Sequence, residues 1–197
     1  MSAPTFKKTK VSQTINLKEE FGVDLRGMNS LKEAIGGAII ERIRQRTESG
    51  NGMSFKSNGS GNPVKLKAPY SKEYADSLDF KAFGKSRGKV NMKLTGDMLG
   101  LMDVTKIDGN KITIGWTDSE ENAKAFNHST GDTVPRRPFF GVSKKELQEI
   151  KKEFSSEIRE AVRTRNTEGR EAFERRVAGL LDLIQNNSPI GFEDDNG

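Results

Sequence analysis

Apolar residues recur along this chain with two periods, and the places where the period changes mark its elements. Leu31, Ala34, Ile35, Ala38, Ile39 and Ile43 follow one another at three- and four-residue spacing, the signature of one helical face. Ser30 and Glu33 open that stretch at capping-box spacing, where a hydroxyl and a carboxylate satisfy amides orphaned by the first turn. Gly36 and Gly37 weaken the middle of the helix by roughly 1 kcal/mol each and mark a place for close approach of a sheet or a second helix. From residue 103 to 116 the period drops to two, with β-branched residues on both sides of Asp108, Gly109 and Asn110; this predicts a hairpin. Residues 119–127 read as a short helix whose acids, Glu120 and Glu121, sit at the end favoured by the helix dipole. Ser143 and Glu146 repeat the capping-box spacing and open a long helix with Leu147, Ile150, Phe154, Ile158, Ala161 and Val162 on one face.

The remaining segments are less periodic. Residues 1–28 scatter Phe6, Val11, Ile15, Leu17, Phe21, Val23 and Leu25 among basic and polar residues, and read as an extended basic arm or edge strand. Residues 49–66 are rich in glycine, serine and asparagine and read as a flexible loop. Ser71 is placed to start a helical turn, and Thr95 to cap a short apolar turn holding Met98 and Leu99. Pro135 and Pro138 bracket Arg136 and Arg137, predicting an extended corner that projects both guanidinium groups, with Phe139 and Phe140 as its anchor. Residues 164–186 form a second amphipathic stretch, and 187–197 an acidic tail. The fold class is α+β: a small antiparallel sheet packed by an N-terminal helix and a long C-terminal helix, with extended arms and a main domain over 29–163.

Composition narrows what such a chain can do. Apolar residues make up 32% and charged residues 31%, with a mean hydropathy of −0.71, so a modest core is expected, with further surface buried in an assembly. No apolar run approaches the roughly 18 residues of a membrane span, and the first residues hold no secretory apolar region. Without cysteine there are no disulfides and no thiolate chemistry, which fits assembly in a reducing cytoplasm; one histidine rules out a multi-histidine zinc centre. Charge is uneven. Residues 1–93 carry 18 Lys and Arg against 9 Asp and Glu, whereas residues 94–197 carry 15 against 19, a polarity suited to a nucleic-acid face or to copies meeting basic surface to acidic surface.

Candidate chemistry is sparse. His128 lacks a nucleophile and an orienting partner at recognisable spacing, and reads as a hydrogen-bonding structural residue. No phosphate-binding glycine loop or paired carboxylate set stands out. This reading assigns no catalytic, cofactor-binding or metal-binding residue. Lys81, Lys85, Arg87, Lys89 and Lys93 form a run without an acidic residue, read either as a lumen- or DNA-facing loop or as a solvated connection. With residues 7–10, Arg42 to Arg46, Arg136 and Arg137, that run offers phosphate contacts without base readout.

Three motifs stand in order: Thr95, Gly96 and Leu99; Ala125, His128 and Gly131; and Pro135, Arg136, Arg137, Pro138, Phe139, Phe140 and Gly141. Their order and spacing resemble the tail-completion, neck or "virion morphogenesis" proteins of long-tailed bacteriophages such as Mu and lambda. Lys124 departs from the pattern, since an aromatic commonly precedes the alanine there. The resemblance implies a structural virion protein and no enzyme: a subunit of a homo-oligomeric ring, six-fold to match a tail tube, assembled in the host cytoplasm. It implies head-completion or adaptor proteins and a tail terminator as neighbours, and DNA passing through the lumen. On that basis the motif residues are structural and subunit-interface residues, with Arg136 and Arg137 pairing with a neighbour's carboxylates. The alternatives are a tail terminator or head-tail adaptor ring, and a small non-sequence-specific DNA-binding protein.

Overall fold

Burial alternates along residues 10–16, with Val11, Gln13 and Ile15 turned inward, and this stretch forms an inner strand of the main sheet. The computed structural model describes residues 4–7, 10–56, 61–67, 70–82, 85, 87–88, 90, 92 and 97–166. Strand β1 (Thr5–Lys7) turns into β2 (Lys10–Asn16), and the hairpin expected at 103–116 is present as β5 (Met102–Asp108) and β6 (Lys111–Trp116). All pairings are antiparallel and the order is β1-β2-β6-β5. Gln13 opposes Ile114 and Ile15 opposes Ile112, so the buried sides of β2 and β6 form one apolar face. Residues 10–28 are therefore not an arm. Burying one face fixes the register of β2, which a peripheral segment would not require.

Helix α1 (Leu17–Phe21) follows β2 directly, capped by the Asn16 side chain. Helix α2 (Asn29–Glu48) starts one residue ahead of Ser30; Met28 is the N-cap and no side chain caps it, so the expected capping box does not form. Its buried stripe includes Ile35, Ile39 and Ile43, and it crosses the sheet at Gly36, where a Cβ would overlap Val104 Cγ2. Gly37 faces open space, so only the first of the two glycines serves close packing.

The segment read as a flexible loop is instead a second hairpin, β3 (Asn51–Phe55) with β4 (Gly61–Lys65). Polar composition had hidden it. Its anchors come from outside: Met53 is buried, and its amide donates to the Pro138 carbonyl at 2.7 Å. Two short helices, α3 (Lys72–Asp76, capped by Ser71) and α4 (Leu78–Ala82), lead to α5 (Asp97–Gly100). Thr95 lies outside the described residues, as do Gly96, Lys89 and Lys93.

Helix α6 (Ser119–Thr130) is capped by Asp118, which accepts from the Glu120 and Glu121 amides; it runs three residues past its expected end and closes on Gly131. The Ser143–Glu146 capping box forms in full at the start of α7 (Lys144–Glu153). That helix is interrupted at Phe154, and residues 155–166 are helical again. From residue 156 onward the chain forms a separate unit; within it Glu160 pairs with Arg163 at 2.8 Å. The second amphipathic stretch and the acidic tail lie outside the described residues. The architecture is α+β, with α2 lying on the main sheet.

Candidate functional site

Residues 137–142 are extended, and their backbone groups are held by four different elements. The Arg137 amide donates to the His128 carbonyl of α6 at 2.6 Å, and the Pro138 carbonyl accepts from Met53 of β3. Arg46 of α2 donates from Nη2 to the carbonyls of Phe139 (3.0 Å) and Gly141 (2.6 Å). The Val142 amide donates to buried Gln13 Oε1 of β2 at 2.9 Å. Prolines at 135 and 138 keep this stretch extended and out of any ladder, so side chains from neighbouring elements satisfy its polar groups. Phe139 and Phe140 are buried beside Trp116, with ring centroids 6.2 and 5.1 Å from the indole, and the indole Nε1 donates to the Met98 carbonyl at 2.6 Å. The aromatic anchor read from the sequence is in place.

Arg137 is not where the sequence reading put it. The residue is buried, 4% exposed, and its guanidinium carbon stands 5.0 Å from the centroid of the Tyr70 ring, so it turns inward and not toward a neighbour. Arg136 is exposed, and its Nε donates to the Ser129 carbonyl at 3.2 Å. The corner therefore separates its two cations, one inside and one outside.

Around the Arg137 guanidinium lies a cavity of about 490 Å³. One wall is aromatic. Tyr70, Tyr74 and Phe80 pack with centroids 5.2 to 5.4 Å apart, and Tyr70 and Tyr74 line the cavity. They lie four residues apart across the turn capped by Ser71. Lys85 lies over this cluster with Nζ 4.9 Å from the Tyr70 centroid; it turns inward instead of standing out from a basic loop. Burial, then the charge on Arg137, lowers the Lys85 pKa. Met92 backs the cavity in a left-handed backbone conformation at φ 58°, its amide donating to the Tyr70 hydroxyl at 3.3 Å. Across from this wall stand Asp97, Glu121 and Lys124. Glu121 Oε1 accepts from Lys124 Nζ at 2.5 Å, while Oε2 is buried with no hydrogen bond.

His128 lines the same cavity. Arg137 Nη1 lies 3.3 Å from His128 Nδ1, and because an arginine can only donate, the imidazole accepts there and is neutral. Burial first, then the charges of Arg137 and Lys85, pushes its pKa down to about 4 from 6.5. The unfolded chain therefore takes up this proton before the folded one does. Stability falls as pH drops from about 6.5 to about 4, and His128 contributes nothing to pH dependence above that window. Because this is the chain's one histidine, His128→Gln should remove on the order of 2 kcal/mol of that acid loss, read from urea unfolding at neutral and mildly acid pH. A proton-NMR titration of the imidazole with an ordinary midpoint would contradict the geometry.

The other basic residues divide. Arg42 pairs with Glu153 (2.6 Å) and Glu149 (3.6 Å) of α7, Arg44 caps α5 through the carbonyls of Leu99 (2.7 Å) and Gly100 (2.8 Å), and Arg46 is bound to Glu146. All three have partners within the fold. Lys81 and Arg87 are exposed. Sequence reasoning missed Tyr70, Tyr74 and Gln13, and read Glu121 only as a helix-end acid and Arg46 only as part of a basic run. The tyrosines left a trace, being the chain's two tyrosines at helical spacing. Among the described residues no group of three or more His, Asp or Glu stands placed to hold a metal, and no helix is long and apolar enough to cross a membrane.

Comparison of the chain with protein-family models, with curated proteins and with solved structures gave no match.

Proposed function

We propose that this protein is a structural subunit of a ring at the neck or tail end of a long-tailed bacteriophage, joining or completing the tail with DNA passing through the lumen. The observation that carries the reading is the meeting of the sequence motifs in space. The Ala125–Gly131 segment and the Pro135–Gly141 corner are joined by the bond from the Arg137 amide to the His128 carbonyl, and Trp116 links Met98, beside Leu99, to Phe139 and Phe140. The described motif residues thus form one braced unit whose bonds hold backbone in place. A braced corner of this kind suits a protein that works by contact.

The DNA-binding alternative has less to stand on, because Arg42, Arg44 and Arg46 are committed to partners inside the fold. Arg136 keeps the interface role that Arg137 loses, being the exposed cation of the corner. Native mass measurement of the purified chain and cryo-microscopy of whole particles test the proposal. A closed ring is expected, of about six copies at the head-tail junction as the resemblance to neck proteins implies. Arg136→Glu should leave the monomer folded and yield heads unjoined to tails. Absence of the chain from intact particles, or normal particle yield from that variant together with a monomeric wild type, would end the proposal.

A further inference from the structure

The cavity at Arg137 is lined by residues whose chemistry is specific. Its size falls within the roughly 300–1,000 Å³ typical of small-molecule sites, and its walls follow the same plan of mainly apolar and aromatic lining with a few converging charged groups. The Lys85 ammonium and the Arg137 guanidinium approach the same Tyr70 ring, with Nζ at 4.9 Å and Cζ at 5.0 Å from its centroid. Among the described residues Lys85 meets three aromatic rings and the field of a second cation, and pairs with no carboxylate. Two like charges held close in a half-desolvated place repel each other, and an anion seated between them reverses that repulsion. Asp97 and Glu121 also line the cavity, and a negative group is favoured beside Lys85 and Arg137.

We infer that this cavity binds a small organic anion: a flat apolar or aromatic body lying against Tyr70 and Tyr74, carrying one carboxylate or phosphate between Lys85 and Arg137. The aromatic wall takes the body by stacking and burial, and the guanidinium adds its positive charge beside the anion. Lys85 adds a point charge over the Tyr70 ring. Fixing the anion at this end sets the orientation of the body along the cavity. The inference is independent of the ring reading, since a lone monomer holds every residue it uses.

Calorimetric titration of the full chain with 4-hydroxyphenylacetate and with phenyl phosphate tests it, the two arms separating a carboxylate from a phosphate ligand. Both are expected to bind, the preferred head group showing the lower Kd, with 4-hydroxyphenethyl alcohol, the neutral counterpart of the first, weaker by about tenfold or more. Binding should perturb the fluorescence of Trp116, which is tied to Met98 in the cavity wall. Lys85→Gln removes the charge and shortens the side chain by one bond; it should melt like the wild type and bind either anion about tenfold more weakly. Equal binding of the neutral counterpart, unchanged affinity in Lys85→Gln, or no binding of either anion would overturn the inference. Binding of a short acidic peptide such as Phe-Glu-Asp-Asp without binding of the small anions would also overturn it, assigning the cavity to a protein partner.

Discussion

Arg46→Met is expected to lower the stability of the fold by about 3–5 kcal/mol, the cost of removing one member of a buried ion pair. The Arg46 and Glu146 side chains are 9% and 13% exposed and 2.5 Å apart. Burial lowers the Arg46 pKa against the pull of Glu146, which records how far this cation has been taken from water. Its Nε is buried without a partner, so the pair is kept for what the remaining nitrogens do. One binds Glu146 and the other bridges the Phe139 and Gly141 carbonyls, tying α2, α7 and the extended corner together. Methionine fills much of the volume but strands a buried carboxylate and two carbonyls. Urea unfolding monitored by Trp116 fluorescence measures the loss. The double variant Arg46→Met with Glu146→Gln retains an acceptor for the α7 cap and should recover part of it. A single-variant loss below about 1 kcal/mol would show that the pair is solvated and contributes little.

Gly52→Ala is expected to cost about 3 kcal/mol, a large effect for one methyl group. A Cβ at residue 52 would lie on top of the Pro138 carbonyl oxygen, 2.9 Å from the Pro138 carbonyl carbon and 2.7 Å from Leu66 Cδ2. Leu66 can shift, but the Pro138 carbonyl is held by the Met53 amide. The methyl group must therefore push the β3–β4 hairpin off the corner and break that bond. Hydrogen exchange at the Met53 amide should quicken, and the denaturant midpoint should fall with an unchanged slope. A variant as stable as the wild type, with Met53 still protected, would mean the hairpin is not docked on the corner in solution.

Helix α2, the hairpin of β5 and β6, helix α6 and the capped start of α7 were all legible in the chain, because each carries a local signal. Those signals are a helical stripe, alternation around Gly109, an acidic first turn and the Ser143–Glu146 box. The Ser30–Glu33 spacing had the same form and failed, since the N-cap is Met28, two residues earlier. Spacing cannot say which residue is the first to turn. Strand β2 and the β3–β4 hairpin were misread for another reason: each is stabilised by partners distant in sequence, β2 by β6 and β3 by Pro138. The cavity was invisible for the same reason, because Tyr70, Lys85, His128 and Arg137 meet only through α6 and the corner.

By itself the sequence determined the α+β class, the main helices and the Phe139–Phe140 anchor, because periodicity, caps and a pair of prolines act over a few residues. Only the tertiary structure decided the direction of Arg137, the burial of Arg46 and the inclusion of residues 10–16 in the sheet. A side chain's exposure is set by what the rest of the chain packs against it, and a cation beside a tyrosine ring leaves no mark in the order of residues.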